Sequence, residues 1–187
     1  MEKKYENLEI EARFLVCGDS WRGLGDSVEI LQGYLSTAKD AVLRLRVQND
    51  KAEMTIKGET KGLTRKEYEF ILKHVEKAKE VIHTFCHHPI KKIRHRIWHQ
   101  GFEWEIDEFK GENQGLVIAE VEFTREEDYQ RMLLQGKPQW IGKEITQGHW
   151  QYTNMQLAER PFSRWRPEEK QDVDRHAAGQ ADDCPSS

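Results

Sequence analysis

The sequence predicts an α+β protein, mainly antiparallel β, whose sheet closes into a barrel with helices packed outside it. Three observations lead there. Most of the chain alternates apolar and polar residues with period two, the signature of strands. Helical spacing is confined to a few short stretches. The polar faces of the strands carry runs of like charge, which fits strands that face one another around an enclosed space.

Leu8 to Val16 alternates, with Leu8, Ile10 and Phe14 on one face and Glu9, Glu11 and Arg13 on the other. Val28 to Leu35, Ala41 to Val47 and Ala52 to Lys57 follow as strands, with Asn49-Asp50 as a tight turn between the last two. Thr64 to Leu72 alternates again, and Val75 to Val81 reads as a helix with Lys and Glu on its wet side. In the second half, Ile90 to Trp98 and Phe102 to Phe109 alternate on either side of a Gln100-Gly101 turn. A loop at Gly111 to Gly115 leads to a strand at Leu116 to Phe123. Thr124 is the expected N-cap of a helix reaching Leu134, with Glu126, Glu127 and Asp128 in its first turn. A short amphipathic segment from Trp150 to Leu157 closes the fold. Residues 1–158 therefore form the folded domain. From Glu159 onward, prolines, glycine and charges with few apolar residues predict a disordered tail, 159–187, without a catalytic role.

At 187 residues the chain is long enough to bury a real core as one domain. Its net charge of −4 argues against a general nucleic-acid binder, which normally carries a basic excess. The three cysteines, Cys17, Cys86 and Cys184, are far apart and odd in number, which predicts reduced thiols in a cytosol. No apolar h-region or membrane-length stretch occurs, so a soluble, cytoplasmic protein with no membrane partner, monomer or homodimer, is expected.

The charges carry the chemistry. Glu9, Glu11 and Arg13 share a face, as do Arg44 and Arg46, Thr55 and Lys57, and Arg65, Glu67 and Glu69. Later come Lys92, Arg94 and Arg96, then Glu103, Glu105 and Asp107, then Glu120 and Glu122. For any one strand, a solvated face is the favoured explanation. As a set, like charges at spacing two repel unless something of opposite charge comes between them. Acidic strands want a cation and basic strands want a polyanion. Together they describe a site for Mg²⁺ or Mn²⁺ with a triphosphate, the arginines offering bidentate forks to phosphate oxygens.

The ordered series of these segments resembles the CYTH superfamily, the triphosphate tunnel metalloenzymes, and looks most like the short, stand-alone bacterial members. Glu9-Ile10-Glu11-Ala12-Arg13 matches the family's Glu-x-Glu-x-Lys signature, with arginine in place of the lysine. Leu43-Arg44-Leu45-Arg46, Thr55-Ile56-Lys57-Gly58, Ile90-Lys91-Lys92-Ile93-Arg94, Trp104 to Phe109, Gly115 to Glu122, Ile141 to Thr146 and Tyr152-Thr153-Asn154 extend the match. The resemblance implies an eight-stranded tunnel that hydrolyses or cyclises a triphosphate. It implies metal on Glu9, Glu11, Asp107, Glu120 and Glu122. It implies phosphate on Arg44, Arg46, Lys57, Arg65, Lys92 and Arg94, with Arg13 beside them.

The expected function is metal-dependent hydrolysis of inorganic tripolyphosphate or a similar triphosphate. Glu9, Glu11 and Arg13 would stand at the reacting end, and Glu67 or Glu69 would orient the attacking water. Adenylate cyclase is a rival, but no sequence signal marks an adenine pocket. Thiamine triphosphatase is another, favoured if Trp21 or another aromatic stacks on the thiamine ring. A non-catalytic polyphosphate or nucleotide sensor is the rival from another class, and the carboxylates argue against it. The histidines around Cys86-His87-His88 match no familiar zinc spacing.

Overall fold

A computed structural model describes residues 10–38, 41–58 and 67–184. The elements run β1 (Ile10–Val16), β2 (Asp26–Ala38), β3 (Ala41–Gln48), β4 (Lys51–Gly58), β5 (Glu67–Leu72), α1 (Val75–Phe85), β6 (Ile90–His99), β7 (Phe102–Lys110), β8 (Val117–Phe123), α2 (Glu126–Gln135), β9 (Ile141–Glu144), α3 (Asn154–Glu159) and α4 (Pro167–Ala177). The β6–β7 hairpin turns on Gln100 and Gly101, at φ 50° and 81°, the left-handed pair a two-residue turn requires. Thr124 is not the N-cap of α2. Arg125 takes that position, and the Thr124 hydroxyl donates to Asp128 instead.

The strands form one antiparallel sheet in the order β5-β4-β3-β2-β6-β7-β8-β1-β9. This corrects two expectations. The described sheet has nine strands rather than eight, and no ladder joins its end strands, so it curls without closing. Beyond β9 the edge is already occupied. Gly142 O accepts from Lys137 Nζ at 2.9 Å, and Lys143 N donates to His176 Nε2 at 3.2 Å. Those contacts use backbone groups that a further strand would need.

Three apolar clusters hold the sheet. One, around Phe14, Trp104, Trp140 and Met132, fills the convex side beneath α2. A second packs Leu45, Val47 and Ala52 against Ala78 and Ile82 of α1. The third departs from expectation, because part of it lies on the polar face of the strands. Leu15, Ile90, Phe109 and Ile118 each stand two residues from Arg13, Lys92, Asp107 and Glu120, and so on the same face. They pack on Leu157, Phe162, Trp165 and Val173. The concave face is thus charged over one part and apolar over the other, and the C-terminal segment covers the apolar part.

That covering overturns the prediction of a disordered tail. Phe162, Trp165, Val173 and His176 are buried, and residues 167–177 form α4. The apolar positions are few, but Phe162 and Trp165 before the helix and Val173 on it all pack into the apolar cluster, which a low average hydrophobicity conceals. The cysteines are also not all reduced thiols. Cys17 and Cys184 form a disulfide across 167 residues, and Cys86 is free and buried. No described helix is long and apolar enough to cross a membrane. Replacing Cys184 with Ser should lower the unfolding free energy by about 2–4 kcal/mol in a urea titration with chelator present. An unchanged midpoint would mean that the bond does not form in solution.

Candidate active site

The curled sheet encloses a cavity of about 550 Å³ on its charged face. Glu11 and Arg13 of β1, Arg44 and Arg46 of β3, Lys57 of β4, Glu67 and Glu69 of β5, Arg94 of β6, and Glu120 and Glu122 of β8 all line it. Trp150, Thr153, Asn154, Met155 and Gln156 line it from the C-terminal side. Ten of the residues expected at the site therefore converge on one space. Glu9 and Arg65 lie outside the described residues. Lys92 and Asp107 are fully buried behind the lining.

Ladder register explains the electrostatics. Glu11 is the direct partner of Glu122, Arg13 of Glu120, and Glu105 of Glu120. Two carboxylates about 5 Å apart repel by roughly 3 kcal/mol at an effective dielectric near 20, so each such pair needs a cation. Arg94 serves Glu105 and Glu120, donating to both. Its Nε and Nη2 also grip the two oxygens of Asp107, each at 2.7 Å. Lys92 Nζ donates to Asp107 as well, and to Asn154 Oδ1 at 3.3 Å. On the acidic rim, Arg13 donates to Glu11 at 2.6 Å.

Burial and pairing set the charge states. Burial alone would raise the Asp107 carboxyl, but Lys92 and Arg94 outweigh it and hold the group at about 2. Burial pushes the Lys92 ammonium down to about 8, against the pull of Asp107. Arg46 is brought down to about 10 by burial and by the charges of Arg44 and Arg94. Glu120 moves the other way: burial raises it, and Asp107 adds to the effect. A buried carboxylate so displaced gains from any added cation.

The basic wall is held in place by neutral partners. Arg44 Nη2 donates to Thr55 Oγ1 at 3.0 Å, and Arg46 Nε to Gln32 Oε1 at 3.2 Å. The buried Nε atoms of Arg13 and Arg44 have no hydrogen-bond partner among the described residues. Lys57 pairs with Glu67 at 2.7 Å, so Glu67 neutralises a cation as well as lining the cavity. Asp107 has both oxygens committed to cations, and it would join a metal's shell only by releasing Lys92 or Arg94. Gln32 and Asn154 were missed as site residues. Gln32 stands two residues from Tyr34 on a strand face, and Asn154 opens a helix; each is a lone polar group among packed neighbours. Trp21 does not stack on anything in the cavity, for it is buried in the convex cluster beside His95.

A family model for the CYTH domain matches residues 7–141. The chain belongs to the CYTH family. Among its curated relatives, the CYTH chain is 42% identical over 159 residues to an inorganic triphosphatase of Acetivibrio thermocellus, covering 84% of this chain and 97% of the relative. It is 35% identical over 152 residues to an inorganic triphosphatase of Nitrosomonas europaea, covering 80% and 96%. The crystal structure of an inorganic triphosphatase superposes with a TM-score of 0.63 at 33% identity, over 80% of this chain and 93% of that one. A Hippeastrum protein described as a putative adenylyl cyclase with dominant triphosphatase activity shares the fold, with a TM-score of 0.54 at 13% identity.

The Asp107 ion pairs carry a stability consequence. Asp107 binds its proton more weakly folded than unfolded, so its contribution is present above pH 4 and is lost as pH falls toward 2. Replacing Asp107 with Asn strands Lys92 and Arg94 and should cost about 3–5 kcal/mol at neutral pH in denaturant titrations. The gap to the native protein should narrow below pH 4. A gap that stays constant across that range would contradict the assigned charge state.

Proposed function

We propose that this CYTH protein is a metal-dependent triphosphatase whose substrate is inorganic tripolyphosphate. The observation that supports this most is the cavity itself, where the opposed pair Glu11 and Glu122 shares one enclosed space with Arg44, Arg46 and Lys57. The identity to two inorganic triphosphatases over most of the chain adds to it.

Carboxylate oxygens suit a hard divalent cation, so Glu11, Glu120 and Glu122, with Glu9 preceding them, would hold Mg²⁺ or Mn²⁺. Among the described residues, no three carboxylate oxygens here lie within 4.8 Å of one another. A divalent ion on one or two of these carboxylates would leave its other positions to phosphate and water. Held there, the ion would supply positive charge to phosphate oxygens and to the leaving oxygen.

The protein's own groups do the rest. Arg44 and Arg46 bind phosphate oxygens bidentately, and Lys57 adds a point charge on the neighbouring strand. Arg94, locked by Asp107, presents a fixed positive charge to the developing anion without reorganising. Arg13 keeps the charge of the family lysine but stays protonated, so it binds and orients and does not shuttle a proton. Glu67 or Glu69 orients the water whose oxygen forms the new bond to the terminal phosphorus. The anhydride P–O bond then breaks, giving orthophosphate and pyrophosphate.

Phosphate release should be measured with purified protein, Mg²⁺ or Mn²⁺, and tripolyphosphate, ATP and thiamine triphosphate in parallel. Tripolyphosphate should turn over fastest. Replacing Glu11 or Glu120 with Gln should lower kcat by roughly 100-fold or more, with far-UV circular dichroism unchanged. Tight binding of tripolyphosphate with no release from any substrate would overturn the enzymatic reading. Cyclic AMP formed from ATP would replace it with a cyclase.

A further inference from the structure

Away from the cavity, the C-terminal segment brings three metal-ligating side chains together at the end of β1. Cys17 follows β1 and is buried. His176, in the last turn of α4, is buried too, and Cys184 is half-buried. Cys17 Sγ, His176 Nε2 and Cys184 Sγ all lie within 4.8 Å of one another, the one such group among the described residues. Nothing in the triphosphatase reading uses it.

Two features mark it as a built site. His176 Nδ1 is 2.6 Å from Asp172 O, and a carbonyl can only accept, so Nδ1 carries the proton. That bond fixes the ring and turns Nε2 toward the sulfurs, where it now accepts from Lys143 N at 3.2 Å, a bond that a metal ligated by Nε2 would replace. The cluster is also seated on β9 at a position only glycine allows. A Cβ on Gly142 would meet His176 Cδ2 at 2.4 Å and Cys17 Sγ at 2.8 Å.

We propose that, with its cysteines reduced, the protein binds one zinc ion through Cys17, His176 and Cys184, and that the disulfide is the oxidised, metal-free state of the same site. Two thiolates and one imidazole are a familiar zinc donor set, and ligands at about 2.0–2.3 Å from a tetrahedral ion stand roughly 3.5–4 Å apart. The present spacing needs only small side-chain rotations to reach that. Asp183 Oδ1 lies 2.9 Å from His176 Nε2. Conversion from the disulfide requires two electrons and two protons, which a dithiol supplies as it becomes a disulfide itself. Zinc then displaces the two thiol protons. Either crosslink fastens α4 to the strand that carries Glu11 and Arg13.

The test uses the full chain, reduced with a phosphine under anaerobic conditions, desalted and titrated with Co²⁺ as a spectroscopic stand-in for Zn²⁺. A thiolate-to-cobalt charge-transfer band should saturate at one ion per chain and vanish on adding one equivalent of Zn²⁺. Cavity carboxylates can also take Co²⁺ but give no thiolate band, so the two sites are read separately. Cys184→Ser, a change outside all three apolar clusters, should abolish the band, and Cys86→Ser should retain it. His176→Gln should weaken zinc binding by roughly tenfold or more in a chelator competition. Absence of the band in the reduced native protein, or its persistence in Cys184→Ser, would overturn the proposal. Unchanged zinc affinity in His176→Gln would also overturn the assigned ligand set.

Discussion

Arg94 is the hub on which the site depends. Its guanidinium holds both oxygens of Asp107 and reaches Glu105 and Glu120, so one side chain on β6 ties the acidic strands β7 and β8 together. Without it, Glu120 would face Glu105 across the ladder with only Arg96 among the described residues, on the Glu105 side at 3.4 Å, as an ion-pair partner for the two. Burial makes the arrangement demanding, because each charge removed from water must find its partner. Lys92 completes the neutralisation from below and links the cluster to Asn154 at the start of α3. Sheet, C-terminal segment and charge network are therefore one mechanical unit.

The division of the concave face follows from the same accounting. Where opposed carboxylates and arginines line the strands, the face stays open as a cavity. Where the alternation switches to Leu15, Ile90, Phe109 and Ile118, the face must be covered, and α3 and α4 cover it. Charge and apolar packing thus decide together how deep the cavity runs. A pocket with cations alone would bind any polyanion; in the proposed function the opposed glutamates favour an anion that arrives with a metal.

Much of this was legible in the sequence. Period-two alternation located all the strands from β1 to β8, and the parity of charges along each strand named ten of the cavity's lining residues before any coordinates. What alternation could not supply was the third dimension. It does not distinguish a charge that faces a cavity, as Arg44 does, from one sunk behind it, as Lys92 and Asp107 are. Nor does it report whether a curled sheet meets its other edge, which here depends on backbone contacts of Gly142 and Lys143. β9 has four residues, too few for periodicity to register. The C-terminal helix was hidden by composition, since its few apolar residues sit among many charges. The disulfide was hidden by separation, because cysteine spacing along a chain says nothing of proximity in the fold.

The central claim is that the carboxylate rim holds a metal while the arginine wall holds the phosphates, in one cavity. A crystal of the native protein grown with Mn²⁺ and a non-hydrolysable tripolyphosphate analogue tests it by anomalous scattering. The expected result is a manganese peak against Glu120 or Glu122, with phosphate oxygens in bidentate contact with Arg44 or Arg46. Manganese outside the cavity, or phosphate on the convex face, would contradict it.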